Sequence, residues 1–116
     1  MSHYADIFVI PVPVGNIALY RQQAETFTKV WLESGALTCV ELEADDAPSG
    51  KLTSFPQSVD LKPDEKVFVG VATYESREKR DEVNAKAMQD ARMTGMEMCF
   101  DGKRMIFGGF RSFAGD

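Results

Sequence analysis

The sequence predicts an α+β domain of the ferredoxin-like, split βαβ kind: a four-stranded antiparallel sheet with two helices on one face. Three observations predict it. The chain runs strand, helix, strand and then repeats that order, and right-handed crossovers place both helices on one side of such a sheet. Three of the four strands carry apolar side chains on both faces, although successive side chains in a strand point to opposite sides. The chain has only 116 residues, 44% of them hydrophobic, which is the size and composition of one domain, residues 1–116.

Tyr4 to Val12 reads as the first strand, with Ile7 and Val9 on one face and Phe8, Ile10 and Val12 on the other. Pro11 and Pro13 cannot donate to a ladder and belong near its end. Gly15-Asn16 supplies a turn and a helix N-cap. Ile17, Tyr20, Ala24, Phe27 and Trp31 then recur at three- and four-residue steps along one helix side, which Gly35 ends. Leu37 to Ala44 is the second strand. Val40 and Leu42 share one side of it, and Cys39, Glu41 and Glu43 the other, an amphipathic pattern suited to a sheet edge.

The connection from Asp45 to Glu65 is rich in Asp, Pro, Ser, Gly and Lys, and short extended pieces are expected in it. Phe55, preceding Pro56, should be extended. Lys66 to Tyr74 is the third strand, with Val67, Val69 and Val71 opposing Phe68, Gly70 and Ala72. Ser76 caps a second helix from Arg77 to Ala91, Glu78 lies near its positive end, and Val83, Ala87 and Ala91 form its apolar stripe. Met93, Met96 and Met98 form a flexible apolar patch. The Asp101-Gly102 turn then starts the last strand, with Met105 and Phe107 on one face and Ile106 and Phe110 on the other. Gly108-Gly109 inside it signals a bulge or a close backbone approach.

One layer of helices covers one sheet face, so the other needs a second cover. Burying ~400 Å² of apolar patch per subunit at ~25 cal/mol per Å² favours association by on the order of 10 kcal/mol before the costs of binding are subtracted. A homodimer through the open sheet face, closing a dimeric α/β barrel, is therefore expected.

The net charge of −5 and the absence of a basic cluster speak against nucleic acid as a partner. No apolar run reaches the roughly 20 residues of a membrane span, and no secretory signal is seen, so a cytoplasmic location is expected without a membrane partner. Cys39 and Cys99 lie in no CxxC or Cys/His cluster, so neither a metal nor another cofactor is expected. The single histidine, His3, reads as a chain-end residue.

The "PVP" end of the first strand, the runs Lys51 to Pro56 and Arg80 to Met88, and above all Phe100-Asp101-Gly102-Lys103-Arg104-Met105-Ile106-Phe107-Gly108-Gly109-Phe110 resemble the YbaA-like family of small bacterial proteins of unknown function. The likeness covers nearly the whole chain. It implies the dimeric α/β-barrel superfamily, whose members include cofactor-free monooxygenases, haem-degrading enzymes and stress-related barrels.

Six residues are candidates for binding a ligand. Glu41, with Glu43, projects either into a barrel interior or into water from an edge strand. Phe55 and Tyr74, with Trp31, either line a cleft between helices and sheet or pack the core. Asn84 borders an apolar stripe, as a buried amide or as a polar anchor in a pocket. Lys103 and Arg104 follow the turn and either fix a carboxylate or are solvated. Two functions fit: a barrel holding a small, partly apolar molecule in a cleft of each subunit, with cofactor-free oxygenase chemistry by analogy, or a non-enzymatic interaction or stress-related module.

Overall fold

A computed structural model describes residues 3–115. Four strands, β1 (Tyr4–Pro13), β2 (Thr38–Glu43), β3 (Glu65–Tyr74) and β4 (Ile106–Arg111), form one antiparallel sheet in the order β2-β3-β1-β4. Helix α1 (Ile17–Ser34) joins β1 to β2, and α3 (Arg77–Met88) joins β3 to β4. The predicted architecture is the one observed, with β1 and β3 central and the amphipathic β2 at an edge.

The register makes each face legible, because directly paired residues share a side. One face carries the rows Cys39–Ala72–Asp6–Gly109 and Glu41–Gly70–Phe8–Phe107. The helices pack here: Val30, Trp31, Val83 and Ala87 meet Cys39, Ala72 and Tyr74, while Tyr20 meets Ile10, Val12 and Phe68. Stacked rings of Phe27 and Trp31, with centroids 4.0 Å apart, lie within this layer. The opposite face carries Val40–Val71–Ile7–Gly108 and Leu42–Val69–Val9–Ile106. Val59 and Leu61 cover only the end near Val9 and Val67, and among the described residues no helix lies over the rest, where Leu42 is 53% and Phe110 57% exposed.

Local chemistry explains where the elements differ from the sequence reading. Asn16 makes no capping hydrogen bond; a 3-10 turn over Val14–Asn16 starts the helix, and the Asn16 amide instead donates to the Cys99 carbonyl at 2.7 Å. Its side chain ties down the long approach to β4. Gly35, at φ +122°, ends α1 as expected. Phe55 is not extended: it opens a one-turn helix, α2 (Phe55–Ser58), because Ser54 is the extended residue and caps the Gln57 amide. Pro56 is tolerated there, since first-turn amides have no partner within the helix. Helix α3 stops at Met88 rather than Ala91, so Ala91 falls in turns instead of in the stripe. Ser76 caps it as read, accepting from Lys79 N–H. Strand β4 starts at Ile106, after the turn closed by Arg104 N–H on the Asp101 carbonyl.

The β1–β4 register is unbroken across Gly108-Gly109, so no bulge occurs. Close approach is the reason for Gly109: a Cβ there would collide with the Tyr4 hydroxyl and ring. Both cysteines are buried and free. Among the described residues, no helix is long and apolar enough to cross a membrane.

Candidate functional site

Two polar groups of different character sit on the helical face of the sheet. The first surrounds Asp6, a charged residue on a central strand and only 5% exposed. Its row neighbours are Ala72 and Gly109, small residues that leave room above the carboxylate. Arg80, on α3, donates to Asp6 Oδ1 at 2.8 Å, and the Tyr74 hydroxyl donates to Oδ2 at 3.1 Å. Trp31 Nε1 donates to the Tyr74 oxygen and to Asn84 Oδ1, each at 3.1 Å. The guanidinium lies 4.9 Å above the Tyr4 ring, and Arg80 Nε is 2.9 Å from Asp81 Oδ1 without the alignment of a hydrogen bond. Burial first, and then the Asp6 charge, hold the Tyr74 hydroxyl above its ordinary pKa. Both oxygens of Asp6 are occupied within the protein, so this network locks β1 to α3.

The second group is not closed. Between α1 and β2 lies a cleft of about 390 Å³, lined by Ile17, Tyr20, Ala24 and Phe68 with Glu41 among them, and by Arg21, Glu25 and Thr28 of α1. Helix periodicity places Ile17, Tyr20 and Ala24 on the sheet-facing side of α1, and strand alternation turns Glu41 toward them. Glu41 faces Gly70 in the ladder, and a Cβ at Gly70 would lie 2.8 Å from Glu41 Oε2. The carboxyl therefore lies flat on β3. The Tyr20 hydroxyl donates to Oε1 at 2.8 Å, whereas Oε2 is shut off from solvent without a hydrogen-bond partner.

Burial raises the Glu41 pKa above its ordinary value, and the Tyr20 hydrogen bond offsets only part of that. Burial and the Glu41 charge push the Tyr20 hydroxyl well above the usual tyrosine range. The Cys39 thiol, next along the strand face, is pushed up to about 12, chiefly by burial, so it is an inert thiol rather than a nucleophile. At the rim Glu43 pairs with Lys66 at 2.8 Å. Gly70→Ala is expected to displace the Glu41 carboxyl and cost about 1–3 kcal/mol, readable as a lowered urea midpoint with an unchanged m-value.

The six sequence candidates do not converge. Glu41 lines the cleft, in neither of its two expected settings: it faces the helices rather than a barrel interior, and it is not an edge acid in water. Tyr74 and Asn84 meet through Trp31 in the Asp6 network. Phe55 is half-exposed on α2. Lys103 is exposed in the turn, its amide bonded to Asp101 Oδ1. Arg104 clamps the 59–65 segment, donating to Glu65 and to the carbonyls of Val59 and Asp60. Sequence reasoning missed Tyr20, read as core, and Asp6 with Arg80. A lone acid in an apolar central strand was the available signal for Asp6. Among the described residues no three His, Cys, Asp or Glu side chains are gathered as metal ligands.

Known proteins place the chain. The Escherichia coli (strain K12) "Uncharacterized protein YbaA" is 44% identical over 111 residues, covering 94% of this chain and 95% of that one. A protein of the same name from Shigella flexneri matches equally. A solved dimeric ferredoxin-like protein from an uncultured marine organism superposes with a TM-score of 0.58 at 12% identity, covering 97% of this chain and 94% of that one, which shows the fold. Residues 3–102 match the model of the family described as "Protein of unknown function (DUF1428)", and the chain belongs to that family.

Proposed function

We propose that this protein is a homodimer joined through the open sheet face, and that each subunit holds a small, partly apolar molecule in the cleft between α1 and β2. The observation that carries the cleft is the buried Glu41 Oε2 without a partner, at the floor of a space of about 390 Å³. That volume lies toward the lower end of the ~300–1,000 Å³ typical of ligand sites, and an apolar wall with a few placed polar groups is their usual make-up. A buried polar atom left unpaired costs free energy that a proton on the carboxyl recovers, which leaves the cleft floor uncharged.

The dimer rests on the uncovered row through Val71, which no described element of the same subunit shelters. The marine neighbour is described as dimeric, which supports assembly in pairs. Two free buried thiols and an acidic balance favour a reducing, cytoplasmic setting without nucleic-acid partners.

Native mass spectrometry of protein purified from its own cells tests both halves. The expected result is a dimer of 12.9 kDa chains retaining one small molecule per subunit. A monomer at micromolar concentration would contradict the assembly. A dimer that retains nothing, and whose cleft amides do not respond to the neutral dye Nile red by NMR, would contradict the cleft.

A further inference from the structure

We infer that Tyr20 and Glu41 act as a proton-sharing pair whose free donor binds a carbonyl or quinone-type oxygen on an uncharged, flat, largely apolar ligand. This rests on the cleft reading above and names the ligand class for it.

The asymmetry of the Glu41 carboxyl carries the inference. An ionised carboxylate offers about four acceptor positions, yet only Oε1 is engaged, and Oε2 is pressed against Gly70 out of solvent. Adding a proton removes the buried charge. Placed on Oε1, that proton has an acceptor at once, the Tyr20 oxygen at 2.8 Å, whereas Oε2 has no partner among the described residues. The Oε1–H group then donates to the Tyr20 oxygen. The Tyr20 hydroxyl hydrogen can no longer point back to Glu41, and it turns into the cleft as an unused donor.

The surroundings decide what that donor meets. Tyr20 packs against Phe68 with centroids 5.1 Å apart, and Ile17 and Ala24 continue the apolar wall, which suits a planar body. The charged and titratable groups around the pair are Arg21 and Glu25 on α1, Cys39 and Glu43 on β2, Lys66 on β3, and Cys99 on the approach to β4. Glu43 is neutralised by Lys66, and the thiol of Cys39 is protonated. An anionic ligand would meet Glu25 as well as Arg21 and would lose its hydration on entering an apolar cleft, a cost that an uncharged carbonyl largely avoids. A cationic one gains little, because Oε2 is sealed off and Tyr20 already holds Oε1.

Four probes sharing one ring system test this by NMR titration of the wild-type protein at pH 4.5, where a carboxyl whose folded pKa lies above that value is mainly protonated: naphthalene, 2-acetylnaphthalene, 2-naphthoate and 2-(aminomethyl)naphthalene. The expected result is that 2-acetylnaphthalene shifts the amides of Ala24, Val40 and Phe68 and binds about tenfold more tightly than naphthalene. Tyr20→Phe should abolish that advantage and leave naphthalene binding unchanged. Glu41→Gln should keep it, since the carboxamide N–H donates to Tyr20 as the neutral acid does. Equal affinities, or tighter binding of the naphthoate or the amine, would overturn the inference while leaving an apolar cleft in place. Failure of all four probes to perturb these amides would overturn both. The wild-type ranking decides the matter even if a variant fails to fold.

Discussion

Arg80→Ala is expected to lower unfolding free energy by about 3–5 kcal/mol, the usual cost of stripping a buried charge of its partner. The Arg80 and Asp6 side chains are 18% and 7% exposed, so little water is at hand to replace the lost guanidinium. Asp6 Oδ1 would lose its donor, and only the Tyr74 hydroxyl would remain on Oδ2. The stacking of the guanidinium on Tyr4 would go as well. Urea unfolding followed by tryptophan fluorescence reads the effect directly, because Trp31 belongs to the same hydrogen-bonded chain. Arg80→Lys should recover part of the loss, since it restores a charge but not the planar fork. A loss below about 1 kcal/mol for the alanine variant would mean that Asp6 is hydrated and the network carries little.

The second large effect concerns assembly. Val71→Asp is expected to weaken the dimer by about 100-fold or more, measured by sedimentation equilibrium, with the far-ultraviolet circular dichroism retained. Val71 lies in the middle of the row from Val40 through Ile7 to Gly108 on the uncovered face. A two-fold interface presents each substitution twice, so one change buries two unpaired carboxylates, and each 1.4 kcal/mol is tenfold in affinity. The single subunit should still fold, because in isolation this position is only half sheltered. An Asp variant that stays dimeric at micromolar concentration would show that another surface joins the subunits.

Much of the fold was legible because it follows from periodicity. Apolar positions in α1 recur at helical spacing, and β1, β3 and β4 alternate with both faces apolar, so the element order and the helix-free sheet face could be read directly. Element ends were less legible where a side chain had two possible partners. Asn16 is a good N-cap by type, but Cys99, distant in sequence, took its amide. Phe55 precedes a proline and reads as extended, but Ser54 took the extended geometry and released Phe55 into a helical turn.

The cleft was the least legible part. In β2, acids alternating with apolar residues look like a wet edge, and for Glu43 that holds. Glu41 differs only because the ladder sets it opposite Gly70, which no local pattern in β2 contains. A burial that depends on register between distant segments is invisible to period counting. Tyr20 illustrates the same limit: its spacing told that it faces the sheet, not that its hydroxyl meets an acid there.

Linkage gives the cleft a pH signature. A carboxyl whose folded pKa is raised holds its proton more tightly in the native state than in the unfolded chain. Its contribution is therefore most favourable at low pH and declines as pH rises from 4.5, the ordinary value, through the folded value. Glu41→Gln should remove this decline, leaving the variant more stable relative to wild type at pH 8 than at pH 4.

Titration of the Glu41 side-chain carboxyl carbon by NMR tests the account most directly, because it asks whether this oxygen pair is dry. The predicted result is a midpoint above 4.5, with the Tyr20 ring signals moving over the same pH range. A midpoint at or below 4.5, with Tyr20 unresponsive, would mean that water already satisfies the carboxylate and that the cleft has no place reserved for a ligand.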